Sequence, residues 1–530
     1  MTAIPHRNIL HSLPLLASAL GRRYGVTIRI GGTEAYTDGD VIQLPALPSD
    51  HDETFMGLVR ALVDHESAHI RHTDFAVPRS AGSPLERHVW NIFEDWRVEN
   101  AMAAMYPGCR GNFAWLIRHY FLKNAQEEYN DKTRLVLDWL LLTVRSWDVP
   151  ELVPQCQSLE VQVDAGWPWL RLHLEAILQA MRGNCPDSAA CLQYARQICA
   201  VLHVASCGGK SARKNTNKSS ILSTQGDAKI AEPPSSTDEA HAQALKQLLS
   251  VTEQSLPADL GSMVHTTLAA SAKNTPETGA TVVAQEARKP TGTLSMESLR
   301  SIEEATSGMQ ARFHGLLQAT RLERNQSARR GKLNTRGLYR AAIHDPRLFV
   351  QHQKRAAINT AVHILLDCSG SMKKRMPLAC QATYAVANAL EHNGINVAVT
   401  AFPAVYNPQF GWASVSPLVR HGQSVHPKFS LASGGSTPLG PALWWVLQQM
   451  LPLNETRKLI LIITDGAPDC DIAASDAVSA ALRLGYECYG LGIMSCAIED
   501  LLPRTSKTIW NLPQLAPAMF SMLKSALVTV

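Results

Sequence analysis

The sequence predicts two folded modules: a mainly α-helical amino-terminal domain and a carboxyl-terminal α/β domain with a mostly parallel, Rossmann-like sheet between helices. Three observations predict this arrangement. At 530 residues, the chain is longer than a single hydrophobic core usually organises. Apolar residues recur at helical spacing over residues 1–205. After residue 358, apolar strands alternate with amphipathic helices, a pattern typical of parallel sheets with crossover helices.

Composition excludes several classes of function. The formal net charge of +4 is small for this length and does not indicate a nucleic-acid or membrane partner. We find no apolar run in the sequence that is long enough to span a bilayer. The apolar stretch Ile9–Leu20 lacks the flanks of a signal peptide, and Cys368 and Cys470 lie beside motif carboxylates where a disulfide is awkward. These features predict a cytoplasmic protein.

Changes in composition predict the domain boundaries. The helical domain is predicted over 1–205, and a linker rich in Ser, Thr, Lys and Ala over 206–295, with one helix near Glu239–Glu253. A helical, then basic, lead-in is predicted over 296–357, and the α/β domain over 358–530. The basic residues of the lead-in lack interleaved aromatic residues and a groove-reading motif, so nucleic acid is not expected as a partner.

Strands and helices of the α/β domain follow from its apolar runs. The predicted strands are Thr360–Leu366, Val397–Phe402, Leu459–Ile463 and Tyr486–Ile493. The predicted helices are Leu378–His392, Leu439–Leu451 and Ala473–Leu484. Ligands of open α/β sheets bind at the carboxyl ends of such strands, so motifs at those ends are the first candidates for function.

Oxygen-bearing side chains stand at two of these strand ends. Asp367, Ser369 and Ser371 follow the first strand in the run D-C-S-G-S, and Asp465 ends the strand that begins at Leu459. Thr437 lies between them in the run G-G-S-T-P. All five are hard oxygen donors, the type of ligand that Mg²⁺ prefers. The sequence therefore predicts a magnesium site at this edge of the sheet.

The order D-x-S-x-S, then T, then D resembles the metal-ion-dependent adhesion site of von Willebrand factor A (VWA) domains. This resemblance implies that Ser369, Ser371 and Thr437 bind Mg²⁺ directly, and that Asp367 and Asp465 act mainly through water. It also implies that an acidic residue of a partner protein completes the coordination shell.

The segment before the first strand and the tail of the chain resemble the cobaltochelatase subunit CobT over roughly residues 310–530. The matching positions are Gly331, Arg336, Tyr339, Asp345, Pro346, Lys354 and Arg355, with a helix–strand–helix tail after Ile498. The group includes nitric-oxide-reductase activation proteins and typically works with a MoxR-type AAA+ ATPase. The resemblance implies such a partner, together with a client protein or a chelatase subunit. Because the chain has no G-x-x-x-x-G-K-[ST] loop, it is not itself the ATPase.

The amino-terminal domain contains the motif His65-Glu66-Ser-Ala-His69. The motif continues an apolar helical stripe through Leu58 and Leu62, so it faces inward. Two imidazoles one turn apart can hold Zn²⁺, and the intervening Glu66 carboxylate can accept a proton from a zinc-bound water. The motif thus predicts a zincin-like metal site with Glu66 as the catalytic base.

A third zinc ligand is predicted on the helical segment Asn91–Glu99. Glu94 lies 25 residues after His69 (94 − 69), a separation that resembles glutamate zincins, and Asp95 is the next candidate. His72 is left out of the primary ligands. The strand region Ala35–Pro45 resembles the edge strand that zincin-type metallopeptidases use to align a peptide.

Two hypotheses for function follow from these motifs. In the first, the chain is a zinc metallohydrolase controlled by an ATPase partner. In the second, it is a non-enzymatic adaptor that couples ATP-driven remodelling to a client, as cobaltochelatase subunits do in cobalamin biosynthesis. Whether the chain is an enzyme stays open at this stage, and Glu66 is the residue that discriminates between the two.

Overall fold

The computed structural model describes residues 13–48, 53–122, 132–207, 237–274, 280–304, 359–404 and 413–528, with short stretches between 307 and 353. Within these residues the amino-terminal part is mainly helical and the carboxyl-terminal part is an α/β sandwich, so the predicted fold class is confirmed. No helix in the described ranges combines the length and apolar character needed to cross a membrane.

Eight helices of the amino-terminal part pack around two apolar clusters, one of which continues into the α/β part. In chain order they are α1 Leu13–Tyr24, α2 Glu53–His72, α3 Pro84–Met105, α4 Cys109–Ile117, α5 Lys132–Ser146, α6 Val153–Gly166, α7 Leu170–Gly183 and α8 Ser188–Ser206. The second cluster contains the fully buried rings of Phe93 and Trp139. This packing places α2 against α3, and the two helices carry the predicted zinc ligands.

A small sheet precedes α2. Its strands are β1 Thr27–Ile30, β2 Tyr36–Asp38 and β3 Val41–Leu44, in the spatial order β1-β3-β2. Strand β3 is therefore the middle strand, paired on both sides. The expectation that this region supplies an edge strand for a peptide does not hold for residues 41–44, because their backbone hydrogen bonds are already used within the sheet.

Part of the predicted linker is folded. Residues 237–274 form α9 Thr237–Leu249 and α10 Leu260–Asn274, and both helices bury apolar side chains against the amino-terminal helices. Helix α9 overlaps the one helix predicted near Glu239–Glu253, whereas α10 was not predicted. The linker prediction for 206–295 does not hold over 237–274, because Leu245 and Leu248 of α9 and Val264 and Leu268 of α10 are buried. Residues 208–236 lie outside the described residues.

Residues 280–292, here called the bridging segment, pair with both parts of the molecule. The segment carries β5 Ala280–Thr281, β6 Gln285–Glu286 and β7 Thr291–Gly292. Strand β5 pairs with β4 Leu47–Pro48 of the amino-terminal part. Strand β6 extends the large sheet beside β13 Ser414–Val419, and β7 pairs with β14 Ser430–Leu431. The bridging segment thus joins the two parts through backbone hydrogen bonds.

The large sheet of the carboxyl-terminal part also contains β11 Thr360–Asp367, β12 Asn396–Phe402, β15 Arg457–Thr464, β16 Glu487–Ile493 and β17 Ser506–Ile509. With β13 and β6 it has seven strands, in the order β17-β16-β15-β11-β12-β13-β6. The five strands from β17 to β12 are parallel, and β13 is antiparallel to β12. The helices around the sheet are α11 Met376–His392, α12 Leu439–Met450, α13 Asp471–Arg483, α14 Ala497–Leu501 and α15 Leu515–Val528. The predicted mostly parallel sheet is confirmed.

The described stretches of the lead-in include a feature that the sequence did not predict. Strands β8 Arg324–Ala328, β9 Lys332–Leu333 and β10 Phe349–Gln353 form a separate antiparallel sheet, with β10 in the middle. Several positions that carried the predicted resemblance lie outside the described residues, namely Gly331, Arg336, Tyr339, Lys354 and Arg355.

Candidate functional site

The carboxyl end of β11 carries the first part of the predicted magnesium site. Asp367 ends the strand and is fully buried. Its Oδ1 accepts a hydrogen bond of 2.7 Å from the backbone N–H of Ser369, and its Oδ2 accepts one of 2.6 Å from Thr464 Oγ1. Burial raises the pKa of Asp367, although these hydrogen bonds act in the opposite direction. A buried carboxyl in this position is stabilised in its charged form by a nearby cation.

The remaining predicted ligands meet Asp367 at the same edge. Ser369 Oγ lies 3.0 Å from Ser371 Oγ, which donates a hydrogen bond of 2.5 Å to Asp465 Oδ1. The loop that carries Thr437 is held against this turn, since the Gly370 N–H donates to the Gly435 carbonyl at 3.0 Å. Two carboxylates and three hydroxyls therefore converge at one strand edge, and this donor set fits a hard divalent cation such as Mg²⁺.

A cationic rim next to this edge was not predicted. The guanidinium of Arg375 donates through Nη1 to Asp465 Oδ2, and Lys373 and Lys374 are exposed beside it. Lys289 of the bridging segment is buried and donates through Nζ to the Pro403 carbonyl at 2.9 Å. The run Lys373-Lys374-Arg375 directly after D-C-S-G-S-M was the sequence signal that could have identified most of this rim.

The predicted zinc motif lies where α2 crosses α3. His65 Nδ1 lies 2.9 Å from Glu99 Oε1, and His69 Nε2 lies 3.2 Å from Asp95 Oδ1. On each helix the two residues are four apart, so one turn of α2 faces one turn of α3. Burial lowers the pKa of His65, but the hydrogen bond to Glu99 and nearby carboxylates outweigh it and raise that pKa to about 9.

Three side chains in this crossing can hold a metal ion. One ligand atom each from His65, His69 and Asp95 lies within 4.8 Å of the others. Atoms bound to tetrahedral zinc at about 2.0–2.2 Å stand roughly 3.4 Å apart, close to the 3.2 Å between His69 Nε2 and Asp95 Oδ1. The set of two imidazoles and one carboxylate therefore fits Zn²⁺ in its chemistry, and the His69–Asp95 pair fits it in spacing.

Neighbouring groups orient these candidate ligands. Glu99 engages Nδ1 of His65 and leaves Nε2 for a metal, while Thr73 Oγ1 lies 3.0 Å from His69 Nδ1. Arg145 is fully buried and donates to Asp95 Oδ2 at 2.9 Å and to Glu99 Oε2 at 2.8 Å. Histidines and carboxylates fixed in this way by outer partners are characteristic of metal sites in proteins. Roles for Glu99 and Arg145 were not predicted from the sequence.

The prediction of Glu94 as the third ligand is not supported by the geometry. Its Oε1 accepts hydrogen bonds from Arg97 Nη2 at 2.6 Å and from Ser188 Oγ at 2.7 Å. Both carboxylate oxygens of Glu94 are thus bonded to Arg97 or Ser188 rather than to the histidines. Asp95, the alternative candidate, is the carboxylate beside His69, because one residue along a helix turns the side chain by about 100°.

Helix α10 covers the predicted catalytic base. His265 Nε2 lies 2.9 Å from Glu66 Oε1. Burial raises the pKa of Glu66, but this hydrogen bond and the nearby histidines outweigh it and lower the pKa to about 2. At Gly261 a Cβ atom would lie 3.2 Å from Glu66 Oε1 and 3.4 Å from His65 Nε2, so the absence of a side chain permits the close approach of α10. His265 lies within the range predicted as a linker from the sequence, so its contact with Glu66 was not predicted.

Comparison with protein families identifies both parts of the chain. Residues 10–267 match the family described as cobalamin biosynthesis protein CobT, and residues 361–513 match the von Willebrand factor type A domain. The CobT match lies in the amino-terminal part, whereas the resemblance predicted from the sequence concerned residues 310–530. Because the match reaches residue 267, it includes α9 and most of α10.

Solved structures share only a limited region with the chain. A pilus adhesin, SpaC, from Lactobacillus rhamnosus GG is 13% identical over 32% of this chain and 30% of its own, with a TM-score of 0.28. Proximal thread matrix protein 1 from the mussel byssus, with a zinc-occupied MIDAS motif, is 15% identical over 32% and 46%, with a TM-score of 0.27. The ArnB paralog VWA2 from Sulfolobus acidocaldarius is 17% identical over 32% and 47%, with a TM-score of 0.24.

The chain spans less than half the length of each of these solved proteins, and no curated protein matches its sequence. The family matches and the strand-edge geometry support a divalent-metal site in the carboxyl-terminal part. The chain therefore carries a CobT-like region at residues 10–267 and a von Willebrand factor type A domain at residues 361–513.

Proposed function

We propose that the chain is a CobT-like adaptor that docks a partner protein at its VWA domain through Mg²⁺. The observation that carries the proposal is the convergence of Asp367, Ser369, Ser371, Thr437 and Asp465 at the carboxyl edge of the sheet. When bound there, Mg²⁺ supplies a coordination position for a carboxylate of the partner. The surrounding hydrogen bonds hold the donor oxygens in place before the partner arrives.

The cationic rim supports an acidic partner surface. Lys373 and Lys374 are exposed, and Arg375 is half-buried against Asp465. Positive side chains around a site raise the association rate of an acidic surface and disfavour a basic one. We infer that the partner is a MoxR-type AAA+ ATPase and that the adaptor links it to a client protein or a chelatase subunit. Cobalamin biosynthesis is the pathway that the CobT family match favours.

The test is a pull-down of the ATPase partner with and without Mg²⁺. Asp367→Ala, Ser369→Ala and Thr437→Ala should each reduce Mg²⁺ binding and partner capture, because each removes one oxygen of the site. EDTA should abolish capture by the wild-type chain. The exposed carboxylate Asp500 gives the control, and Asp500→Ala should change neither measurement. If the ATPase partner is still captured both in the presence of EDTA and by Asp367→Ala, the proposal is wrong.

A zinc metallohydrolase in the amino-terminal part is the second candidate. His65, His69 and Asp95 favour it, because one ligand atom of each lies within 4.8 Å of the others. When bound, Zn²⁺ lowers the pKa of a water molecule. Glu66 is the carboxylate that would accept the proton, and its Oε1 already accepts a hydrogen bond from His265.

The cover formed by α10 favours the adaptor over the hydrolase. His265 of α10 lies 2.9 Å from Glu66 Oε1, and a Cβ atom at Gly261 would lie 3.4 Å from His65 Nε2, so α10 packs directly over both side chains. In this conformation the zinc site is suited to holding α2 and α3 together. A hydrolase would require α10 to move away from Glu66.

Metal analysis and one conservative variant separate the two candidates. The purified chain should hold about one zinc per molecule, and His65→Ala together with His69→Ala should remove it. Glu66→Gln removes the proton acceptor but not a ligand, so it should keep the metal. Under the adaptor proposal Glu66→Gln leaves partner capture and client activity unchanged. Loss of a zinc-dependent hydrolysis in Glu66→Gln alone would establish the hydrolase instead.

A further inference from the structure

Two cysteines that no motif singled out lie in contact near the start of α8. Cys185 is in the turn between α7 and α8, and Cys191 is in the first turns of α8. Their Sγ atoms are 3.1 Å apart. That separation is about 1 Å longer than the ~2.04 Å of a disulfide bond, so the two sulfurs are already in direct contact. Both thiols are free in this structure.

The two thiols differ in ways that assign them different chemical roles. Cys191 is fully buried, and its pKa is raised by the neighbouring sulfur and by burial. Cys185 is partly exposed. The hydrogen bond from Cys191 and the nearby Arg97 guanidinium lower the pKa of Cys185, although burial and the carboxylates of Glu94 and Asp187 act in the opposite direction. Cys185 therefore matches an attacking thiolate within reach of solvent, and Cys191 matches a second thiol held in place to resolve the product.

We propose that Cys185 and Cys191 are a redox-active dithiol that a peroxide oxidises to a disulfide. The Cys185 thiolate attacks a peroxide oxygen, the O–O bond breaks, and Cys185 becomes a sulfenic acid as hydroxide leaves. Cys191 then attacks the Cys185 sulfur, the S–O bond breaks, and water leaves as the S–S bond forms. Two thiols are oxidised, and one peroxide is reduced to two waters. This site is independent of the metal chemistry proposed above.

The dithiol flanks a buried hydrogen-bond network that reaches α2 and α3, the helices that carry the candidate zinc ligands. Ser188, between the two cysteines, donates through Oγ to Glu94 at 2.7 Å, and its Oγ accepts from the Asp74 N–H at 2.9 Å. Arg97 joins Glu94 to the carbonyl of His72, the last residue of α2, at 2.7 Å. Closure of a disulfide across residues 185–191 would therefore fix the segment that anchors α2 to α3 and α8.

Peptide mapping of the full chain tests this proposal directly. The reduced protein is treated with hydrogen peroxide under native conditions, denatured, alkylated with N-ethylmaleimide and digested with trypsin. Both cysteines fall in one tryptic peptide, 183–196, because Arg182 and Arg196 flank it. We expect this peptide to appear two hydrogen masses lighter than its dithiol form, without an alkyl group, and to regain two alkylation sites after reduction.

Cys199 and Cys207 give the matched internal control. Both follow on α8 or at its end, and they share the next tryptic peptide, so they should stay alkylated at peroxide levels that close the pair. In Cys191→Ser, dimedone should trap a sulfenic acid on Cys185, whereas Cys185→Ser should give no such adduct on Cys191. The proposal is overturned if peptide 183–196 is alkylated twice after peroxide, or if Cys185 oxidises no faster than Cys207.

Discussion

Asp95 and Glu99 show how far single residues could be assigned from the sequence. Both lie on α3 within a run of charged residues, and the sequence placed the third ligand in that run but on Glu94. The choice between neighbours depends on which side of α3 faces α2. That rotation is set by contacts from distant segments, such as Ser188 with Glu94 and Arg145 with Asp95, and a local pattern does not reveal them.

Substitutions at the two neighbouring carboxylates measure which one belongs to the metal site. Loss of a residue that only orients a metal ligand weakens metal binding by roughly 10- to 100-fold. Asp95→Asn should weaken zinc binding by more than this, because it removes the charge of a candidate ligand. Glu99→Gln should fall within that 10- to 100-fold range, since Glu99 only orients His65. Zinc affinity is measured by competition with a chromogenic chelator.

Glu94→Gln is the control for this series. It should lower stability through Arg97 and Ser188 but leave zinc affinity within a few-fold of wild type among folded molecules. The reverse result, with Glu94→Gln losing zinc and Asp95→Asn retaining it, would restore the assignment made from the sequence.

Arg145 is the buried cation that pairs with Asp95 and Glu99 where α2 crosses α3. Its side chain is fully buried between Asp95 and Glu99, each of which is 3–4% exposed. Arg145→Met should destabilise the chain by about 3–5 kcal/mol, because it leaves two buried carboxylates without their cation. Urea unfolding followed by tryptophan fluorescence measures the change, since Trp139 is buried on the same helix α5.

Arg171 provides the comparison for an exposed ion pair. It contacts Asp164 and Glu175 at partly exposed positions, so Arg171→Met should cost no more than about 1 kcal/mol. Equal costs for Arg145→Met and Arg171→Met would contradict the role assigned to Arg145.

At the scale of elements, apolar periodicity predicted the parallel strands well and α10 poorly. Strand β15 contains the continuous apolar run Leu459–Ile463, and the centre of β11 is apolar except for His363, a pattern that identifies buried strands. Helix α10 buries Leu260, Val264 and Leu268 at four-residue spacing, but small and polar residues separate them. Composition averaged over 206–295 therefore indicated a linker, although the pattern within α10 was that of a helix with one buried face.

Loosening α10 should expose the helix that it covers. Leu268→Ala removes a fully buried side chain from the contact of α10 with α2. If this contact breaks only when the whole chain unfolds, the substitution should lower the free energy of unfolding by about 2–5 kcal/mol. We expect faster amide hydrogen exchange in α2 around Glu66, measured by mass spectrometry. Thr266→Ala, on the exposed face of α10, should leave exchange unchanged. Unchanged exchange in Leu268→Ala would mean that α10 does not shield α2.

At the scale of the whole molecule, the two parts form a joined structure rather than tethered modules. Arg22 of α1 donates to the Gln448 carbonyl of α12 at 2.5 Å, and Gln448 Nε2 donates to the Pro14 carbonyl at 2.9 Å. One hydrophobic cluster contains residues of both parts. The sequence predicted the two folds but not the contacts between them. The hydrogen bonds of Gln448 join residues more than 400 positions apart, and the bridging strands β5 and β6 are only two residues long.

Limited proteolysis followed by gel filtration tests whether the amino-terminal and carboxyl-terminal parts stay associated. The composition of 208–236 predicts cleavage there. We expect residues 237–274 and the bridging segment to resist cleavage, because α9 and α10 are packed and β5, β6 and β7 are paired. The two fragments should therefore elute together at the mass of the intact chain and separate only in denaturant. Cleavage within 237–292, or fragments that separate under native conditions, would show that the modules are independent.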